Sequence, residues 1–328
     1  MNEEVEERRS KLAAEVRELL EFIDEAPSQD DISVPELRGV LFDRDTSFFL
    51  RGGSTPPEVG SVDERRVAVE GGEITVRFYR PSGEGPHPAF VHCHGGGFVF
   101  GSIDLLFYDF KCREICRGCS CIVVGVDYRL APEYKFPAAP EDCFAALRYV
   151  AEHADELGID PRRIAIGGDS AGGNLAAAVA LMSRDRGGPQ LALQVLEIPV
   201  IDNAEPENYP SWVQYGKGYG LEDDLGDMTL NEYFADAADA FSPYASPIRA
   251  DDLTGLAPAH VMTAEFDILR DSGEAYGKKL QDASVPTTID RHEGHIHGDV
   301  VLFRTWKPAR MWMDEIIERL NAAFASDS

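Results

Sequence analysis

Nowhere in the chain do 18 or more apolar residues run together, so no segment reads as a helix able to cross a bilayer. Positive charge is also in short supply. The 31 Lys and Arg, mostly Arg, stand against 58 Asp and Glu, leaving a net charge of −27. A surface this acidic repels nucleic acid and anionic membrane, which removes both from the expected partners. The opening Met1-Asn-Glu-Glu-Val-Glu-Glu-Arg-Arg-Ser10 has neither the basic start nor the apolar stretch of a secretory signal, and the expected location is cytoplasmic. The acidity itself has two readings, adaptation to a salty cytoplasm or simply an acidic enzyme. Internal repeats are absent. Ordinary aromatic content (9%), with 30 Gly and 20 Pro, excludes fibrous and disordered classes. At 328 residues and 44% hydrophobic, the chain can bury one large α/β core, with or without a small lid.

Six cysteines lie at positions 93, 112, 116, 119, 121 and 143. The run Cys112-x-x-x-Cys116-x-x-Cys119-x-Cys121 does not have zinc-ribbon or ferredoxin spacing. Buried thiols at a helix-to-strand junction are the expectation, with a metal or a disulfide as the alternatives.

Along the chain, residues 1 to about 25 carry Val5, Leu12, Val16, Leu19, Leu20 and Ile23 at helical spacing and read as one amphipathic helix. Prolines at 27, 35, 56 and 57 then predict mostly loop with short helices over 26–60. Residues 65–79 read as a hairpin turned at Gly71-Gly72. Strands follow at 88–93, 122–127, 163–167, 193–200, 260–264 and 287–290. Helices fall at about 105–117, 140–150, 175–182, 271–282 and 305–323. Strand–helix alternation after an early hairpin implies a mostly parallel sheet, antiparallel at its start, with helices on both faces. From 201 to 247 aromatics mix with acids and glycines without strand period, the composition of a lid inserted over a cavity or of a peripheral helical excursion. The expected organisation is N-terminal cap helices and loop over 1–60, a catalytic domain over 61–200 and 248–328, and a cap insertion over 201–247.

Chemistry concentrates at Gly168-Asp-Ser-Ala-Gly172, with the apolar Arg163–Gly167 before it and the helix-forming Leu175–Met182 after it. A serine between strand and helix sits on a sharp turn, where small neighbours avoid collision and the helix dipole faces its hydroxyl. Ester or amide hydrolysis by such a serine needs a base, an acid to orient the base, and donors for the developing oxyanion. Asp267 lies just past a strand, with Glu265 and Asp271 as competitors. In Arg291-His-Glu-Gly-His-Ile-His-Gly298, His297 is the base, because it is deepest in the loop and Gly298 permits a tight turn. Convergence of His292, His295 and His297 on zinc is the alternative, and His92 with His94 can also be read as ligands. His94-Gly95-Gly96-Gly97 lets the backbone approach a substrate oxygen, and the amide of Ala171 at the helix start completes the donor set.

The chain resembles the hormone-sensitive-lipase-like branch of α/β-hydrolase esterases, bacterial family IV. The matching pieces are His94-Gly-Gly-Gly-Phe98, Asp127-Tyr-Arg-Leu-Ala-Pro-Glu133, Phe136-Pro-Ala138, Gly168-Asp-Ser-Ala-Gly-Gly-Asn174, Tyr244-Ala-Ser-Pro247, Asp267-x-Leu-Arg-Asp271 and His297-Gly298. The resemblance implies an eight-stranded sheet with a bipartite helical cap and short apolar esters as substrates. It also implies Ser170 as nucleophile, Asp267 as orienting acid and His297 as base. Gly96, Gly97 and Ala171 would be the oxyanion donors, with Gly95 shaping the turn, and a homodimer through the last edge strand would fit. The chain departs from the family at Asp299, where an aromatic is usual, and at His295, where methionine or another apolar residue is common. The expected activity is carboxylic ester hydrolysis through an acyl-enzyme, with no cofactor and a small-molecule ester as the only partner required. An amidase or deacetylase with the same triad, and a non-catalytic receptor on the same fold, are the rivals.

Overall fold

Short apolar, β-branched runs build the strands: β1 (Ser61–Val69), β2 (Gly72–Arg80), β3 (His87–Cys93), β4 (Ile122–Asp127), β5 (Ile159–Asp169), β6 (Leu193–Glu197), β7 (Ala259–Phe266) and β8 (Thr287–Ile296). The structure is a computed structural model describing residues 3–26, 33–223 and 230–325. The strands join in one eight-stranded sheet of order β1-β2-β4-β3-β5-β6-β7-β8. The β1–β2 and β2–β4 pairs are antiparallel and every later pair is parallel, as expected.

The helices are α1 (Glu3–Arg9), α2 (Ala14–Asp24), α3 (Val34–Phe49), α4 (Leu106–Cys119), α5 (Ala138–Glu152), α6 (Ala154–Leu157), α7 (Ala171–Asp185), α8 (Pro210–Tyr215), α9 (Arg270–Asp282) and α10 (Lys307–Ala325). Strand alternation divides the apolar side chains between two cores. Val91, Val124, Ile166 and Val261 face α5, α7 and α9 through Leu147, Leu175 and Tyr276. Phe90, Val123, Ala165 and Met262 face the other layer, where Val16, Phe110, Ile115, Trp312 and Ile316 pack.

The first 60 residues depart from expectation. The single helix foreseen over 1–25 is two, and Arg17 Nη1 donates to the carbonyls of Ser10 and Leu12 at the break. The expected loop over 26–60 instead holds the 16-residue α3. Pro35 does not interrupt it; the proline stands in the first turn, where the missing N–H costs nothing. Glu36 closes that turn by accepting from the Ser33 amide at 3.1 Å and the Ser33 hydroxyl at 2.8 Å. Residues 27–32 and 224–229, within the two cap segments expected from sequence, lie outside the described residues.

Two strand ends differ as well. β6 stops at Glu197, short of the apolar run's end at Val200, because Ile198 turns the chain at φ +39°. β8 runs on to Ile296, so most of the histidine-rich segment is strand and only His297-Gly298 begins the turn. All six thiols are free and buried. Burial holds the Cys116 thiol up at about 12, and Cys121 and Cys143 are also raised by burial.

Candidate active site

β5 ends in a turn that only small residues allow. A Cβ at Gly168 or Gly172 would collide with the Cys93 carbonyl, and a Cβ at Gly173 would press on Pro199. Between them Ser170 is held at φ +56° and ψ −118°, conformational strain of about 1–3 kcal/mol for a non-glycine residue. Backbone bonds hold it there: the Ser170 amide donates to Glu197 O at 2.9 Å, and the Val200 amide donates to Ser170 O at 3.1 Å. The turn of Ile198 brings Val200 into place for the second of these. Ala171 is the first residue of α7, so its amide is one of the helix-start donors without an intrahelical acceptor.

The hydroxyl of Ser170 meets His297 Nε2 at 3.0 Å, and His297 Nδ1 meets Asp267 Oδ2 at 2.8 Å. Because the carboxylate can only accept, Nδ1 carries the proton and Nε2 is left to accept from the serine. Asp267 is buried and also accepts from the Leu269 amide at 2.9 Å. Burial opposes protonation of His297, but the charge of Asp267 and the bond to it outweigh burial and hold its pKa above 6.5. The competing acids are engaged elsewhere, Glu265 with the Gly294 amide (2.8 Å) and Asp271 with the Ser211 amide (2.9 Å). The three imidazoles do not converge. His297 turns to Asp267, His295 Nδ1 meets Asp299 Oδ1 at 2.8 Å, and His292 Nε2 lies 3.4 Å from Glu315. Gly298 takes the left-handed φ of +78° that the tight turn after His297 requires.

The glycine loop is propped from below. His94 Nδ1 donates to Gly95 O at 2.8 Å, and the ring stacks on Tyr128, whose hydroxyl donates to His94 O at 2.9 Å. Gly95 belonged with the candidate oxyanion donors on sequence. The structure corrects this: its amide donates to the Tyr108 hydroxyl at 2.8 Å, so that N–H points away from a substrate. Gly96 and Gly97, both at positive φ, line the cavity beside Ser170.

Beneath the serine lies a buried polar network that sequence reading missed. The Tyr108 hydroxyl in turn donates to Asp169 Oδ2 at 2.9 Å. Lys111 Nζ bridges Asp169 Oδ1 (3.3 Å) and Glu197 Oε1 (2.8 Å), while Trp312 Nε1 donates to Glu197 Oε2 at 2.9 Å. Lys111 and Glu197 are fully buried. Burial opposes the charge on Lys111, but Asp169 and Glu197 outweigh it and raise its pKa; Asp169 is lowered, despite its own burial, mainly by Lys111. The signal was present in the chain, as a lysine between Phe110 and Cys112 on an apolar helix and a glutamate inside an apolar strand. A buried charge of either sign calls for a partner of the other.

Above the serine is a cavity of about 290 Å³. Its floor holds Ser170, His297, Gly96 and Gly97; Phe98, Ile198 and Leu269 make apolar walls. Ile23 of α2 and Trp212, Leu221 and Leu230 of the segment after β6 border it from above.

A serine poised by a histidine–carboxylate pair at the carboxyl ends of parallel strands defines a serine hydrolase. The family described as alpha/beta hydrolase fold matches residues 90–300. The chain belongs to that family, in its hormone-sensitive-lipase-like branch, and is a carboxylic ester hydrolase. It is 41% identical over 242 residues to an arylesterase of Saccharolobus solfataricus, covering 73% of this chain and 77% of that one. With the carboxylic ester hydrolase LipN of Mycobacterium tuberculosis it shares 42% identity over 271 residues, 80% of this chain and 70% of the relative. Among solved structures, a hyperthermophilic esterase from Pyrobaculum calidifontis superposes with a TM-score of 0.88 at 38% identity, covering 95% of this chain and 98% of that one. No helix among the described residues is long and apolar enough to cross a membrane.

Proposed function

We propose that the protein hydrolyses small, apolar carboxylic esters through an acyl-enzyme on Ser170. His297 Nε2 takes the hydroxyl proton as Ser170 attacks the ester carbonyl, and Asp267 holds the ring and stabilises the imidazolium. The oxyanion is received by the amides of Gly96, Gly97 and Ala171, each such donor contributing about 3 kcal/mol to the transition state. His297 then protonates the leaving alcohol, and water repeats the sequence to release the acid. The unbroken line from Asp267 through His297 to Ser170, opening into the cavity, is the observation that carries this reading.

The cavity supports the substrate class, since a volume of about 290 Å³ with mostly apolar walls is at the small end for a ligand site. Its borders support a bipartite cap, one part from residues 1–60 and the other from 201–247. Six unpaired thiols fit a reducing compartment and so support a cytoplasmic location. β8 is an edge strand, which supports a homodimer joined edge to edge.

The test is a series of chromogenic esters of increasing acyl length on wild type and Ser170→Ala. The expected result is a kcat/KM that peaks at short acyl chains, with kcat reduced at least ~10⁴-fold in the variant. Activity surviving the substitution, or amides cleaved faster than esters of the same acyl group, overturns the proposal.

A further inference from the structure

A second cavity, of about 290 Å³ like the first, opens between α3 and the segment joining β3 to α4. Its apolar lining is Leu41 and Phe42 of α3 with Phe100 and Leu105 of that segment, all four half-buried. Asp45 is its one acid, so an uncharged alkyl tail suits it better than a tail bearing a carboxylate. Among the described residues, Phe100 alone borders both this chamber and the catalytic cavity.

The backbone around Phe100 is fixed independently of its ring. The amides of Val99 and Phe100 donate to Gly96 O at 3.1 and 2.7 Å. Gly101 follows at φ +87°, where a Cβ would strike Gly95 O and the His94 ring. Arg38 ties α3 to the same loop, Nε donating to Val99 O at 2.6 Å while its terminal nitrogens each meet the Glu133 carboxylate at 2.8 Å. Sheet order separates the two ends of an ester. Ser170 ends β5; the glycine loop and Phe100 follow β3 on one side of it, and His297 follows β8 on the other. His297 must reach the leaving oxygen to protonate it, so the alcohol lies toward β8 and the acyl chain toward β3.

Resting on the ester-hydrolysis reading above, we propose that the Phe100 side chain sets the acyl-length limit. It is the partition between the catalytic cavity and an apolar chamber under α3 able to hold the tail of a longer alkyl acyl group. At about 290 Å³ the catalytic cavity is at the small end for a ligand site, and joining the two chambers would double the space. Phe100 is thus a specificity-determining residue, distinct from the donors of the loop that carries it.

On the full chain, nitrophenyl butanoate and octanoate probe the acyl side, and ethyl and hexyl acetate probe the alcohol side. In Phe100→Ala the octanoate-to-butanoate ratio of kcat/KM is expected to rise at least ~10-fold, the effect of one or more methylenes gaining a pocket. The hexyl-to-ethyl ratio stays as in wild type. Phe100→Leu, which keeps an apolar side chain and so disturbs folding less, gives a smaller rise. Gly39→Leu added to Phe100→Ala reverses the gain. A Cβ at Gly39 meets nothing within 4 Å, so leucine there would enter the chamber without touching the catalytic cavity. An unchanged octanoate-to-butanoate ratio in both Phe100 variants, while wild type cleaves butanoate through Ser170, overturns this inference and leaves the parent reading standing. A gain that survives Gly39→Leu, or one confined to the acetates, overturns it too. A wild type inert on all four esters strikes the parent reading, and this inference with it.

Discussion

Asp299 has a buried carboxylate within two residues of the base, accepting from the Ile296 amide at 2.8 Å and paired with His295 at the same distance. It therefore braces the turn that carries His297 and adds negative charge beside its ring. Burial raises the pKa of Asp299 itself, against the pull of His295. For His297, burial favours the neutral ring, while Asp267 first and Asp299 less strongly favour the charged one, and the balance lies above 6.5. Only neutral His297 can take the serine proton, so the acid limb of kcat/KM falls above pH 6.5 and activity is lost as pH drops through it. Asp299→Asn keeps the shape and removes the charge, so the limb should move to lower pH. A pH profile of kcat/KM checks this, and an unmoved limb refutes an electrostatic role for Asp299. Ser170, His297 and Asp267 were legible because each stands in a short motif in the chain order this fold requires. The engagement of Gly95 with Tyr108 was not, because it depends on a hydroxyl 13 residues away whose approach follows from helix packing.

At the scale of elements, Lys111 joins α4 to the ends of β5 and β6, and Trp312 extends the tie to α10. Removing one partner of such a buried pair leaves an uncompensated charge. Lys111→Met should therefore cost roughly 3–5 kcal/mol, measured by urea unfolding, and Lys111→Met with Glu197→Gln should recover part of it. If the single variant is as stable as wild type, the network does not hold the elbow. Strand direction could be anticipated because apolar runs alternate with helical ones after an early hairpin, while the spatial order of the strands could not. Element ends were harder. Pro35 marks a helix start only when Ser33 and Glu36 close around it, and β6 ends at a residue whose composition says strand. The first signal is a local capping box that lay within the sequence pattern, whereas the end of β6 is decided by hydrogen bonds to Ser170 and Met262, which the local pattern does not contain.

The molecule as a whole carries −27 charges, and its arginines are drawn into pairs such as Arg129 with Asp142 and Arg249 with Asp202. Screening weakens surface pairs, worth about 0–1 kcal/mol each, but it also relieves the repulsion among the excess acids. With acids so far in excess, relief should dominate, and the melting temperature should rise between 0.05 and 2 M NaCl. A falling melting temperature would mean that the pairs matter more than the net charge. The cavity walls bear on something else again. Ser170, Asp267 and His297 hang from strand ends, while Ile23, Trp212 and Leu221 reach the same space from outside the sheet. Substitutions at the outer residues can therefore change which molecules fit the cavity while leaving Ser170, Asp267 and His297 untouched.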